Sequence, residues 1–228
     1  YEQKKYEKAY RRHRLALYIR VTCLDFIDIQ VSESLNYAAQ SLAMLGPKHA
    51  GKAIPLALHS IEIRQLEFGM KHPAFAHSLS VLAMSYHAAG RSFDSLPFWE
   101  QCLDICNAAF YPNHANLVPN HIGYGKALKA VGQRKAALKQ FCKAEEIHLD
   151  NFELQDAQLL EIREKIDQLL QNPLPKKEAT EATREASRNS RNEGDPLIII
   201  TDVGRDVDDE LALCLLKPLT DLKLVQPV

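Results

Sequence analysis

Four aspartates, Asp202, Asp206, Asp208 and Asp209, crowd into the stretch PLIIITDVGRDVDDELALCLL, residues 196–216. Carboxylates this close repel one another, and a hard cation bound through oxygen relieves that repulsion; Ca²⁺ favours several carboxylate oxygens. Apolar Leu197 to Ile200 read as a buried parallel strand, Gly204 as a loop, and Glu210 onward as a helix. The carboxyl end of a strand is where open α/β sheets hold ligands. The same residues admit a plainer reading, in which Asp208, Asp209 and Glu210 stabilise a helix N-terminus through its dipole without metal.

The elements that would position such a loop occupy little of the chain. It has 228 residues, 46% apolar and 25% charged, with a formal net charge of −1. That balance favours neither nucleic acid nor a bulk membrane surface as partner. The basic concentration KKYEKAYRRHR near the start reads as a solvated helix face rather than a polyphosphate site. Five scattered cysteines (Cys23, Cys102, Cys106, Cys142, Cys214) read as reduced, buried thiols. Cys102 and Cys106 share a helix face, but no second Cys/His pair stands at zinc spacing. No run of eighteen apolar residues is present, so no membrane helix is expected.

Most of the chain repeats itself. Gly90 and Gly132 lie 42 residues apart, as do His72 and His114. The same offset links Ala53, Ser95 and Ala137; Ala57, Trp99 and Phe141; Ser60, Cys102 and Ala144; and Ile63, Ile105 and Ile147. Leu42, Tyr86 and Leu128 correspond in the preceding helices, with Ala39, Ala83 and Gly125 supplying small residues where helices cross closely. Each unit reads as two antiparallel helices, about 28–46 with 49–68, 74–89 with 92–110, and 115–131 with 134–150. The first of each pair ends at a glycine suited to a left-handed cap. His72-Pro73 and His114 sit at unit junctions, where stopping one helix and starting the next explains them better than catalysis. After Asp150, Leu154, Leu159, Ile162, Ile166 and Leu169 recur at helical spacing, suiting a terminal helix over the last repeat. Residues 171–195, polar and poor in large apolar side chains, read as a flexible linker.

These units resemble the tetratricopeptide repeat (TPR) family. Tyr124-Gly125, Leu128, Gly132, Ala137, Phe141 and Ala144 fall at its signature spacings, as do Leu82-Ala83, Tyr86, Gly90, Ser95, Trp99 and Cys102. The long period and the joining stretch FGMKHPAFAHSLSVLAMSYHAAG resemble the kinesin light chain type. The first unit departs, with Ala38-Ala39 and Leu42 where bulkier residues are usual. YEKA at Tyr6 to Ala9 resembles the start of a second TPR helix, so a segment is expected upstream. The resemblance implies an all-α solenoid over residues 1–170 that binds a protein or peptide in a concave groove. It places Asn116, Asn120, His121, Lys126 and Lys129 on a groove-lining helix, where they grip a ligand or are merely solvated. Trp99 is expected to be core.

Residues 196–228 resemble the opening of inosine/uridine-type nucleoside hydrolases, with the first strand, loop and helix of an incomplete α/β Rossmann-like domain. That resemblance implies Ca²⁺ among the aspartates and a nucleoside substrate whose N-glycosidic bond is hydrolysed. Asp202 then matches the catalytic general base and a metal ligand, Asp208 the ribose-binding carboxylate and Asp209 a metal ligand. Asp206 competes for either of the latter places, also as a metal ligand. Ile200 stands where the motif's first aspartate belongs and Glu210 replaces an alanine. The rest of such a site lies far beyond the first helix, so the chain as it stands is expected to be a non-catalytic scaffold unless it continues past Val228. With no targeting segment evident, the cytoplasm is the expected location.

Overall fold

In the computed structural model, residues 2–24, 27–152 and 156–171 are described, and among them every regular element is helical. The helices are α1 (Glu2–Cys23), α2 (Ile29–Met44), α3 (Pro47–Phe68), α4 (Pro73–Ala88), α5 (Ser92–Ala109), α6 (Val118–Ala130), α7 (Arg134–Asn151) and α8 (Ala157–Gln171). A 3-10 turn, Ala115–Leu117, leads into α6. The three expected pairs are α2–α3, α4–α5 and α6–α7, each joined by a connection of a few residues that turns the chain back on itself. α1 packs on α2 as a second helix would, and α8 packs on α7. Leu154, the linker from 172 to 195, and the strand, loop and helix expected from Leu197 onward lie outside the described residues.

Each first helix begins in the same way. Asp28 Oδ1 accepts from the Gln30 N–H at 2.7 Å, His72 Nδ1 from Ala74 at 3.1 Å, and His114 Nδ1 from Asn116 at 3.1 Å. Asp156 Oδ1 repeats the bond to Gln158 at 3.1 Å ahead of α8. These caps satisfy one of the orphan donors at each helix start. The imidazoles are held flat by stacking: Phe68 lies on His72 and Phe110 on His114, each with ring centroids 4.5 Å apart. The junction histidines are therefore structural acceptors, as the sequence suggests.

The ends of the first helices differ more than expected. Gly90 (φ 81°) and Gly132 (φ 80°) are left-handed, and the following N–H groups reach back, Arg91 to Tyr86 O and Gln133 to Leu128 O, both at 2.9 Å. Gly46 instead takes φ 101° and ψ −177°. Pro47 follows it, and a residue before proline is driven out of helical backbone, so the turn uses extended geometry open to glycine alone. Pro55 and Pro97, 42 residues apart within α3 and α5, each remove one helical hydrogen bond at a matching place.

The core runs along the array. Leu17, Val31, Leu35 and Ile63 join α1 to α2 and α3; Ala39, Leu42, Ala53, Ala57, Val81 and Leu82 continue it into α4. A larger cluster, including Phe75, Leu79, Trp99, Leu103, Leu128, Phe141 and Ile147, extends to Ile162 and Leu169 of α8. Each such large side chain removed from water contributes roughly 1.5–3 kcal/mol. A buried polar layer runs beside the first cluster. Asn36 Nδ2 donates to Ser78 Oγ at 2.9 Å, Ser60 and Ser78 share a hydrogen bond at 3.0 Å, and Arg64 Nε donates to Ser32 Oγ at 3.1 Å.

Replacing His72 with alanine should destabilise the chain by about 1 kcal/mol in urea unfolding, the usual cost of a lost N-cap. Aspartate at the same position should retain most of that stability, as Asp28 and Asp156 do the same work. Equal losses in the two variants would contradict the capping role.

Candidate functional site

The solenoid's inner face follows from which helices touch. α2 contacts α4 and α4 contacts α6, whereas the second helices α3 and α5 pack on their own pair partner and then on the next first helix. First helices that approach one another while second helices splay place α2, α4 and α6 on the inside of the curve. Gln40 of α2 is exposed there, and Ser80, Met84 and His87 of α4 and Lys126 of α6 are half-buried.

The five residues named for the groove separate on this frame. Asn116 is exposed. Asn120 is half-buried and donates to Cys106 Sγ at 3.7 Å. His121 is buried, with Nδ1 donating to Gln140 Oε1 at 2.7 Å. Both are thus packing groups rather than groove groups, because they point between helices. Lys126 meets Glu161 of α8 at 3.0 Å, and Lys129 donates to Gln168 of α8 at 2.8 Å. The two cations are held by the last helix, which sits where a further first helix would stand. Arg134 also donates to the Leu169 carbonyl. Trp99 is buried against Gly123, as expected of core.

The cysteines correct one expectation: Cys102 and Cys106 are buried, but Cys23 and Cys142 are exposed. Their neighbours on the helix faces turn inward, leaving them on the outer side. Cys214 lies outside the described residues, as do Asp202, Asp206, Asp208 and Asp209. Among the described residues no group of three His, Cys, Asp or Glu side chains could hold a metal ion. No described helix is long and apolar enough to cross a membrane.

A second concavity stands apart from the inner face. One stripe of α1, from Gln3 to Arg14, faces the corner between α2 and α3 across a cleft of about 1070 Å³. The basic stretch expected to be a solvated helix face is therefore also one wall of a cleft. The spacing of Lys4, Arg11 and Arg14 on one side of a helix was visible in the sequence; the facing Lys48 and Lys52 were not, because nothing local connects them.

Burial governs the histidines. It pushes His59 down to about 4. Burial also lowers His77, whose ring nitrogen accepts from the Arg64 guanidinium at 3.0 Å, and that positive charge adds to the effect. His87 is lowered by burial and then by Lys126 across the inner face. His121 is lowered by burial, partly offset by Gln140.

A family model for the tetratricopeptide repeat matches residues 75–150. That segment is similar to the repeat family, and the described residues form a TPR-like helical solenoid. Several solved structures share the fold, among them three of similar extent. Two are crystal structures of Podosopora anserina kinesin light chain nearly identical TPR-like repeats. The first has 16% identity and a TM-score of 0.60, with 85% of this chain and 92% of that one covered. The second, a substituted form of those repeats, has 18% identity and a TM-score of 0.60, covering 82% and 88%. BtubC (BKLC) from P. vanneervenii has 15% identity and a TM-score of 0.56, covering 99% and 92%. No curated protein matches the sequence.

The histidine shifts set an acid limit on stability. A histidine whose folded value lies below its unfolded value of about 6.5 binds its proton mainly in the unfolded chain. Its contribution is complete above about pH 6.5 and is lost as pH falls toward the folded value. For His59 that window runs down to about 4, a loss on the order of 3 kcal/mol. Urea midpoints should fall steadily from pH 7 to about pH 4.5, and less steeply in His59→Gln. Parallel curves for the two proteins would refute the assignment to His59.

Proposed function

We propose that this chain is a protein-binding scaffold whose inner face, built by α2, α4 and α6, receives a peptide or protein segment. The observation that carries the reading is the mutual approach of the first helices, which lines a continuous surface with side chains the core does not consume. Gln40 offers an amide there, and Ser80 and His87 each keep a second hydrogen-bonding atom or lone pair beyond their bonds to the His77 carbonyl and Ser92, beside Met84, which packs partly on the core. A solenoid recognises extended or helical segments along such a surface, with backbone and side-chain groups supplying specificity. The TPR match over residues 75–150 and the likeness to kinesin light chain repeats support the same reading. No enzyme chemistry is needed for it.

A peptide selected from a random library on the full chain should bind at least about tenfold more weakly to Gln40→Arg/Ser80→Arg, because two bulky cations then occupy the surface. Lys139→Glu, on the outer side of α7, should bind as the parent does. Peptides indifferent to the inner-face change would place recognition elsewhere.

A second reading, for residues 196–228, rests on the acidic loop of the sequence. In it Asp202, Asp206 and Asp209 hold Ca²⁺, Asp202 doubles as the base that activates water, and Asp208 meets a ribose. The motif would belong to a nucleoside hydrolase-like segment attached to the scaffold. Calorimetric titration of the full chain with CaCl₂ tests the metal part of this reading. It predicts saturable binding that Asp202→Asn and Asp209→Asn each abolish. A featureless titration of the parent chain would remove it.

A further inference from the structure

The cleft beside α1 gathers positive charge, with the Arg14 guanidinium lying over the Tyr10 ring of the same wall, 5.9 Å from its centroid. Lys4, Arg11 and Arg14 line one wall, and Lys48 and Lys52 line the other. Among the described residues Glu7 is the single acid on the lining, 2.6 Å from Arg11. Five formal positive charges against one leave an excess of four, in a chain whose overall net charge is −1.

Two of these cations stand where helix physics disfavours them. Lys48 is the second residue of α3, which starts at Pro47, and Lys52 lies one turn further on. The dipole there presents its positive end, and like charges four residues apart repel. Lys48 is unfavourable for the helix through the dipole, and the pair through mutual repulsion. The facing Arg11 and Arg14 add to the repulsion rather than relieve it. A negatively charged occupant removes all of these costs together.

The shape selects the occupant. Gln3 to Arg14 spans about 16 Å of helix, which matches about five residues of extended peptide. Tyr10, Leu42 and Leu45 give the cleft an apolar floor, suited to the stems of acidic side chains. Nucleic acid fits less well, because it carries charge along its whole length, whereas this basic surface is short and interrupted by Glu7. Neither α4 nor α6 contributes to the lining, so the cleft is separate from the inner face.

We propose that the cleft between α1 and the α2–α3 corner docks an acidic peptide segment of a partner protein, with Lys4, Arg11, Arg14, Lys48 and Lys52 as its charge contacts.

The probe is a fluorescein-labelled hexapeptide of alternating aspartate and glutamate, titrated with the full chain and followed by anisotropy. Binding should weaken at least about tenfold in Lys48→Ala/Lys52→Ala and further in Lys48→Glu/Lys52→Glu, with circular dichroism confirming that both variants are helical. Raising NaCl from about 50 to about 300 mM should weaken it comparably. The inner-face variant Gln40→Arg/Ser80→Arg should bind this probe as the parent does, so failure of the groove reading and failure of this one are distinguishable. Equal binding of the matched asparagine–glutamine hexapeptide would overturn the proposal. So would tighter binding of a thymidine hexanucleotide, or unchanged binding in both lysine variants.

Discussion

The structure depends on how closely α6 approaches the second helices on either side of it. A Cβ at Gly123 would lie 2.3 Å from the Trp99 ring of α5, and one at Gly125 would lie 3.0 Å from the Phe141 ring of α7. Two glycines two residues apart let one thin helix sit between two aromatic rings. The choice is costly in isolation, since each glycine disfavours a helix by roughly 1 kcal/mol relative to alanine. Burial of Trp99 and Phe141, both nearly inaccessible, offsets that cost. It also explains why the repeat unit cannot stand alone. The aromatic that fills one crossing comes from the preceding pair, so each pair is completed only by its neighbour.

The first pair solves the same problem with different residues. Ala57 replaces the aromatic and Ala39 replaces the glycine, so two small residues meet where elsewhere a large one meets none. Leu42 and Leu82 take up part of the apolar space. Nearby, Asn36, Ser60, Ser78, Ser32 and Arg64 form the polar layer instead of an oily seam. Arg64 is anchored at three points, to Ser32 Oγ, the Ala74 carbonyl and His77. Directional bonds of this kind specify register between α2, α3 and α4, whereas an aliphatic contact tolerates sliding. Asn36 Oδ1 is buried without a partner among the described residues, so specificity here comes at some expense of stability.

The three helix pairs, their approximate limits and the left-handed glycines at 90 and 132 were legible because they follow from local chemistry repeated every 42 residues. The terminal helix was legible from Leu159, Ile162 and Leu169. Gly46 was misread because its sequence role as a helix stop says nothing about the backbone Pro47 then demands. The capping register of Asp28, His72, His114 and Asp156 was only half visible, since the aspartates and histidines are different residue types with one shared acceptor geometry. Groove membership was the least legible. Lys126 and His121 both lie on α6, yet one reaches α8 and the other turns toward Gln140, a distinction made by neighbours distant in the chain. The acidic loop at 202–209 was the most conspicuous chemistry in the sequence, and its reading still rests on sequence alone.

The last helix changes what the inner face can offer. Asp156 begins α8 in the register of a first helix, and Glu161 and Gln168 then bond the two lysines of α6. Glu161 is itself held below the usual carboxylate range, mainly by its hydrogen bond to Lys126. Lys126 is thereby paired with a carboxylate within the molecule, whereas Lys129 meets the neutral amide of Gln168. At the other end, Lys48 and Lys52 face the basic stripe of α1, with Glu7 the one acid among the described lining residues. The near-neutral composition therefore conceals an uneven surface: α8 pairs Lys126 with Glu161, while Lys4, Arg11, Arg14, Lys48 and Lys52 gather around the cleft beside α1. A single solenoid can in this way present a nearly neutral groove and a basic corner, two surfaces with different ligand chemistry built from the same repeated pair of helices.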